Sequence, residues 1–282
     1  MRKPPRLALG ILLCLLVAMP LAVPAHPSLS EEEAFVERAL AANPDDFTLH
    51  LRRARLHRER GRWDAAAASL LRAAELGADE IRVQVALARI FLDAGFPLTA
   101  ERQIERVLAS RPEHPEARIV RARISSALGK RLRAADDYRA GLLHLERPEP
   151  GLVLEAMEAQ RAADRPEDAL RVADAAMARI GVVASLQLPA LEIELELGHP
   201  ERALARIEVL LEQAPAHPLW LARRAELLEA TGRAREARAT YAQTLALLER
   251  RPIRRKSQAM RDLERRLRIR LAGLPTPEGS PP

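Results

Sequence analysis

Aromatic residues are scarce. Phe, Trp and Tyr make up 3% of the 282 residues, too few for a core built from rings. Cysteine occurs once, as Cys14, so no internal disulfide can staple the chain. Lysine occurs three times, and arginine carries nearly all of the positive charge. No HExxH, glycine-rich phosphate loop, CxxC pair or nucleophile elbow is present, which removes the metalloprotease, nucleotide-binding, thiol-redox and serine-hydrolase readings. The chain is therefore read as a non-enzyme, with no catalytic residue, no cofactor and no metal. His50 and His57 lie seven apart, but two histidines without a third ligand are read as ordinary surface residues.

What the chain has instead is repetition. Within residues 47–80, Leu49, Leu51, Ala54 and Leu56 precede Gly61, and Ala66, Leu70, Ala73 and Leu76 follow it. Both sets recur at helical spacing, which predicts two amphipathic helices joined at the glycine. A glycine there closes the first helix, because it takes the left-handed backbone at no steric cost. It returns as Gly95 and Gly129, then as Gly198 and Gly232, each 34 residues after the last within its block; Asp164 stands at the fourth turn. The small residue after the turn returns every time, as Ala66, Ala100, Ala134, Ala169, Ala203 and Ala237. The step from Ala134 to Ala169 alone is 35. Such a column lets antiparallel helices approach to the near end of the roughly 8–10 Å interaxial range.

This layout resembles the tetratricopeptide repeat family, whose period is about 34 residues with one helix-turn-helix per repeat. The resemblance covers residues 47–251 as six units. Ala54, Ala88, Ala122 and Ala225 match the family's small positions before the turn, the alanine column matches those after it, and Pro112 and Pro215 match its late proline. Met157 and Leu191 depart from the small-residue pattern, and His50, Gln84 and Arg118 stand where the family has aromatics. The resemblance implies an all-α, right-handed superhelical solenoid with terminal capping helices, in which the first helices line a concave groove that binds another protein.

Flanking segments fit this plan. Residues 1–25 combine a basic start, an apolar run from Leu7 to Met19 and a small-residue site at Val23-Pro24-Ala25, and read as a signal peptide cleaved near Ala25. An uncleaved anchor is the alternative; Pro20, Pro24 and a run shorter than the ~20 residues of a spanning helix oppose it. Leu13 is too large for lipoprotein processing at Cys14. The mature chain is thus expected to be exported, in a bacterial periplasm, with 42 basic against 39 acidic residues once Arg2, Lys3 and Arg6 are gone. Ser30 and Glu33 suggest a capping box that opens a half-repeat within 26–46, carrying Val36, Ala39 and Leu40 and ending before Pro44. Pro115 and Pro218 are expected in the first turns of new helices. The segment 146–151 carries the inserted residue and is read as a change of superhelical pitch, with a domain boundary as the alternative. A capping helix over 252–272 places Ile253, Met260, Leu263, Leu267 and Leu271 on one stripe, and residues 273–282 read as a disordered tail.

Charge supplies the candidate site. Arg55, Arg89 and Arg123 recur at 34 in the first helices of one block, and Glu158, Glu192 and Glu226 occupy the equivalent places in the next. In the family resembled, this column faces the ligand, so a groove basic at one end and acidic at the other is expected to hold a peptide or helix of an envelope protein. The alternative is that these charges form exposed helix pairs such as Arg55 with Glu59 or Arg89 with Asp93, although Glu192 with Glu196 pairs like with like. Leu51, Val85, Ile119, Leu154 and Leu188 lie one turn earlier and are read as packing. A second function is binding of anionic lipid or an envelope polymer through the last helix, since residues 250–272 hold ten basic against two acidic residues. Nucleic acid is not expected, because stacking aromatics are nearly absent.

Overall fold

A computed structural model of the chain describes residues 29–250, 252 and 257–274. The signal segment, Ile253 and the tail beyond Leu274 lie outside the described residues. The described residues form helices and no strand. A first helix, α1 (Leu29–Ala42), is followed by six hairpins: α2 (Phe47–Glu59) with α3 (Trp63–Glu75), α4 (Glu80–Asp93) with α5 (Pro97–Ser110), and α6 (Pro115–Ala127) with α7 (Arg131–Leu143) come first. Then follow α8 (Pro150–Ala162) with α9 (Pro166–Ile180), α10 (Ala184–Glu196) with α11 (Pro200–Gln213), and α12 (Pro218–Ala230) with α13 (Ala234–Glu249). A last helix, α14 (Gln258–Gly273), packs on α13, as α1 packs on α2.

Each hairpin turns where the sequence places its glycine. Gly61, Gly95, Gly129, Gly198 and Gly232 all have φ between 69° and 85°, and Asp164 adopts the same left-handed backbone at 59°. Every member of the alanine column is at most 1% exposed, so the helices close on each other with no room for a larger side chain. Where Met157 and Leu191 take the small position of the first helix, the residues before them are Ala156 and Ala190, and all four are buried. Gly141 makes the closest approach. A Cβ there would stand 2.7 Å from Ile119 Cγ1 and 3.0 Å from the Pro115 carbonyl oxygen.

The stacking is continuous through 146–151. One apolar cluster joins Ala134, Tyr138 and Leu142 before that segment to Val153, Ala156 and Met157 after it. Arg179 of α9 donates to the carbonyls of Leu142 and Leu145, at and just beyond the end of α7, at 2.9 and 2.7 Å. Arg238 does the same for α14, at Leu271 and Leu274. Pro115 and Pro218 each stand first in their helix, where no amide hydrogen bond is lost.

Two local expectations are corrected. Ser30 and Glu33 form no capping box: Ser30 lies inside α1, its hydroxyl accepts from Arg60, and Glu33 is taken by Arg60 and Arg62. The last helix begins at Gln258 rather than near Pro252, because Ser257 caps it by accepting from the Met260 amide at 3.3 Å, and Gly273 belongs to the helix rather than to the tail.

Candidate functional site

First helices of successive hairpins pack on each other, α4 on α6 and α8 on α10, whereas no packing of that extent joins one second helix to the next among the described residues. At these two joints the first helices are the closer-set side of the stack, and that side is called its inner wall. Their exposed side chains are those a ligand in the groove would meet.

The charged column lies on this wall, and its members are partnered across it. Arg55 reaches Glu32 of α1 and, at 3.6 Å, Glu59 of its own helix. Arg89 of α4 bonds Glu116 of α6 at 2.9 Å, and Arg123 of α6 bonds Glu155 of α8 at 2.7 Å. Glu192 of α10 receives Arg223 of α12 at 2.6 Å, and the same guanidinium holds Glu226 at 3.0 Å. Glu158 lies 3.4 Å from Arg161, whose main partner is Glu196 of α10 at 2.8 Å. With Arg58 to Asp93 at 2.7 Å, all five joints between consecutive first helices carry an ion pair.

The column's charges are thus paired within the array rather than left free for a ligand. Like charges in one column are met by off-column residues, from the next repeat for Arg89, Arg123 and Glu192 and from the same helix for Glu158 and Glu226. The like pair Glu192 and Glu196 is relieved from both sides, by Arg223 and Arg161. Asp93 serves Arg58 rather than Arg89. Burial of Arg89 lowers its affinity for the proton, an effect that Glu116 opposes, and its Nε is buried without a hydrogen-bond partner.

A second set of polar residues was missed in the sequence. Arg53 donates to Ser69, Arg121 to Asp137 and Arg224 to Thr240, each crossing from the first to the second helix of its hairpin over sixteen residues. Arg121 and Arg224 also hold Glu105 and Glu208, sixteen residues earlier, and so tie three helices. Asp137 is buried at 3% exposure and receives both arms of Arg121 at 2.7 Å. The fixed offset of sixteen is the signal by which these straps could have been found. Arg206 makes a comparable knot with Asp174, Gln187 and Glu194.

The other candidates fall as follows. His50 is buried, bonded to the Pro44 carbonyl at 2.8 Å and to Arg53 at 3.2 Å, so it is no surface residue. His114 caps α6 by accepting from the Ala117 amide, and His217 stacks on Trp220 at 4.1 Å. Val85 and Ile119 are buried in packing, while Leu51, Leu154 and Leu188 are half-buried. On α14, Arg265, Arg268 and Arg270 each lie within ion-pair distance of a carboxylate, which offsets a small part of the excess charge expected on that face.

Three basins indent the inner side. The first, about 330 Å³, lies between α2 and α4 and is lined by Arg52, Arg55, Arg58, Arg82 and Arg89 over Leu51 and Ile90. The next, about 340 Å³, lies between α4 and α6 and includes Arg89, Arg123, Ile119 and Glu149. A third, at α8 and α10, is lined by Glu158, Arg161, Asp164 and Glu196.

The sequence profile described as tetratricopeptide repeat matches residues 32–81, 85–142 and 190–252, more than half of the chain. The chain belongs to the tetratricopeptide repeat family. Proteins of this family generally act as non-catalytic scaffolds for protein interaction. Solved structures agree on the fold. Yeast Tom70 is similar with a TM-score of 0.54 at 14% identity over 78% of this chain and 45% of its own. PilW, a type IV pilus biogenesis factor, gives 0.52 at 19% identity over 66% of this chain and 86% of its own. Pseudomonas aeruginosa pilF gives 0.51 at 14% identity over 83% of this chain and 99% of its own. At such identities the likeness establishes the tetratricopeptide solenoid alone. No curated protein matches the sequence.

Proposed function

We propose that this tetratricopeptide repeat protein is an exported, non-enzymatic scaffold that holds an extended peptide or a helix of an envelope protein against its inner wall. The carrying observation is the row of six first helices with two adjoining basins, between α2 and α4 and between α4 and α6, each large enough for side chains of a bound segment. Arginine is well suited to such a wall, since its planar fork binds carboxylates and its stem covers apolar surface.

Charge reversal of Arg55, Arg89 and Arg123 is a poor test, because each also bridges helices. A photo-cross-linking residue at Ala86, in the first basin, tests the groove directly, with Leu132, exposed on the second helix α7, as control. Installed in the producing cell, Ala86 is expected to capture a protein that Leu132 does not. Equal capture, or none at Ala86, overturns the groove. Export is tested by sequencing the mature chain, expected to begin at His26; a chain that keeps Met1 in the cytoplasm overturns it.

A further inference from the structure

The first basin differs from the other two in its balance of charge. Five arginines line it, and Glu116 is the one carboxylate in its lining. Four of those arginines have partners, because Arg52 and Arg55 share Glu32, Arg58 takes Asp93 and Arg89 takes Glu116. Arg82 has no ion-pair partner among the described residues, and its backbone amide, rather than its side chain, is the group tied to Asp79. The buried Nε of Arg89 is likewise without an acceptor. Thus Arg82, exposed and without an ion pair among the described residues, offers a free guanidinium beside an aliphatic floor of Leu51, Ala54, Leu70, Ala86 and Ile90.

We infer that this basin seats an acidic segment of the partner protein, with a side-chain carboxylate taken by Arg82 within the arginine-rich lining and aliphatic side chains set on the floor between α2 and α4. This rests on the groove reading above and specifies the chemistry of its occupant. A carboxylate matches the planar fork of arginine and accepts two parallel hydrogen bonds. An aliphatic floor favours an amphipathic peptide over a nucleic-acid strand, for no ring lines the basin on which a base could stack. The third basin excludes the same segment, since Glu158, Asp164 and Glu196 stand there against Arg161 alone. The acidic stretch is therefore held at the amino-terminal end of the array.

The test uses the full mature chain and fluorescence polarisation with three labelled probes. These are a pool of short amidated peptides of Leu, Ala, Ser and Glu, the same pool with Gln for Glu, and an oligothymidylate. The Glu pool is expected to bind about tenfold or more tighter than the Gln pool. Arg82→Gln, which alters an exposed side chain with no ion pair, should remove about tenfold of that affinity, while Arg139→Gln on the second helix α7 leaves it unchanged. Equal binding of the two pools overturns the inference, as does an Arg82→Gln variant that binds like the parent. Tighter binding of oligothymidylate than of the Glu pool assigns the basin to phosphate polymers and overturns it too. If Gln peptides bind and cross-link at Ala86 without preference for Glu, the groove stands and the acidic occupant falls. If no peptide cross-links at Ala86, both fall.

Discussion

Arg123 and Glu155 face each other across the joint between the third and fourth hairpins, Nε and Nη2 of one reaching the two carboxylate oxygens of the other at 2.7 and 3.0 Å. The Tyr138 hydroxyl donates to the same carboxylate at 2.9 Å. The pair sits where the sequence takes its single 35-residue step, so the inserted residue leaves the inner wall bridged.

Exchanging the two charges tests that bridge. Arg123→Glu and Glu155→Arg are each expected to destabilise the array, and the double variant to recover most of the loss. Because both side chains are more than a third exposed, the coupling should be about 1 kcal/mol rather than several. Urea denaturation of the four chains measures it.

Much of this architecture was legible beforehand, and the reason is backbone geometry. A left-handed turn and a close helix crossing each admit few residue types, so Gly61 to Gly232 and Ala66 to Ala237 repeat in the sequence as they do in space. The inner ion pairs were not legible. Arg89 meets a residue 27 positions on, Arg123 one 32 on, Arg58 and Arg161 one 35 on, and Arg223 one 31 back, so no single offset runs through all five. Long side chains choose among several neighbours, and the choice depends on how the hairpins stack. The straps at sixteen residues are the opposite case. Their offset is fixed by one hairpin, but they occur in only some of the repeats and so escape a search for columns.

The strap of Arg121 should matter more than any pair on the inner wall. Its partner Asp137 is buried, so Arg121→Ala leaves a carboxylate in the packed interior with only Arg118 near, at 3.6 Å. A loss of about 3–5 kcal/mol is expected. Arg53→Ala, which leaves the neutral Ser69, should cost about 1 kcal/mol. Thermal or urea unfolding of the two variants gives the ranking, and equal losses would contradict this account of burial.

Asp164 offers a test of the turn. It is exposed and is the sole non-glycine with positive φ among the described residues. Asp164→Gly relieves about 1 kcal/mol of left-handed strain, partly offset by the greater freedom of the unfolded chain, for a net gain of roughly 0.5 kcal/mol. Asp164→Val, β-branched at that backbone, should instead lose about 1–2 kcal/mol. The opposite signs, read from denaturation midpoints, distinguish backbone strain from a general sensitivity of this turn.

Acid should release α1 before the hairpins. This helix is held by Glu32 on Arg52 and Arg55 and by Glu33 on Arg60 and Arg62, with Val36 and Leu40 supplying its buried apolar face. The hydrogen bond from Arg62 holds the Glu33 carboxyl below its ordinary 4.5. A carboxyl whose folded value is depressed stabilises the fold above its unfolded value and ceases to do so as pH falls through the folded one. Amide exchange in α1 should therefore accelerate below that ordinary value while α6 and α7 remain protected, and Glu33→Gln should abolish most of the pH dependence.

Because every joint along the inner edge of the stack carries an ion pair beside its apolar contacts, the curve behaves as a spring whose stiffness depends in part on the surrounding electrolyte. At about 1 M salt the screening length shrinks to roughly 3 Å, comparable with the pairs themselves. The apolar joints between second and first helices are not weakened by the same ions. Small-angle scattering should then record a longer, more open arc with helix content unchanged, so the reach of this protein toward a partner varies with the medium that bathes it.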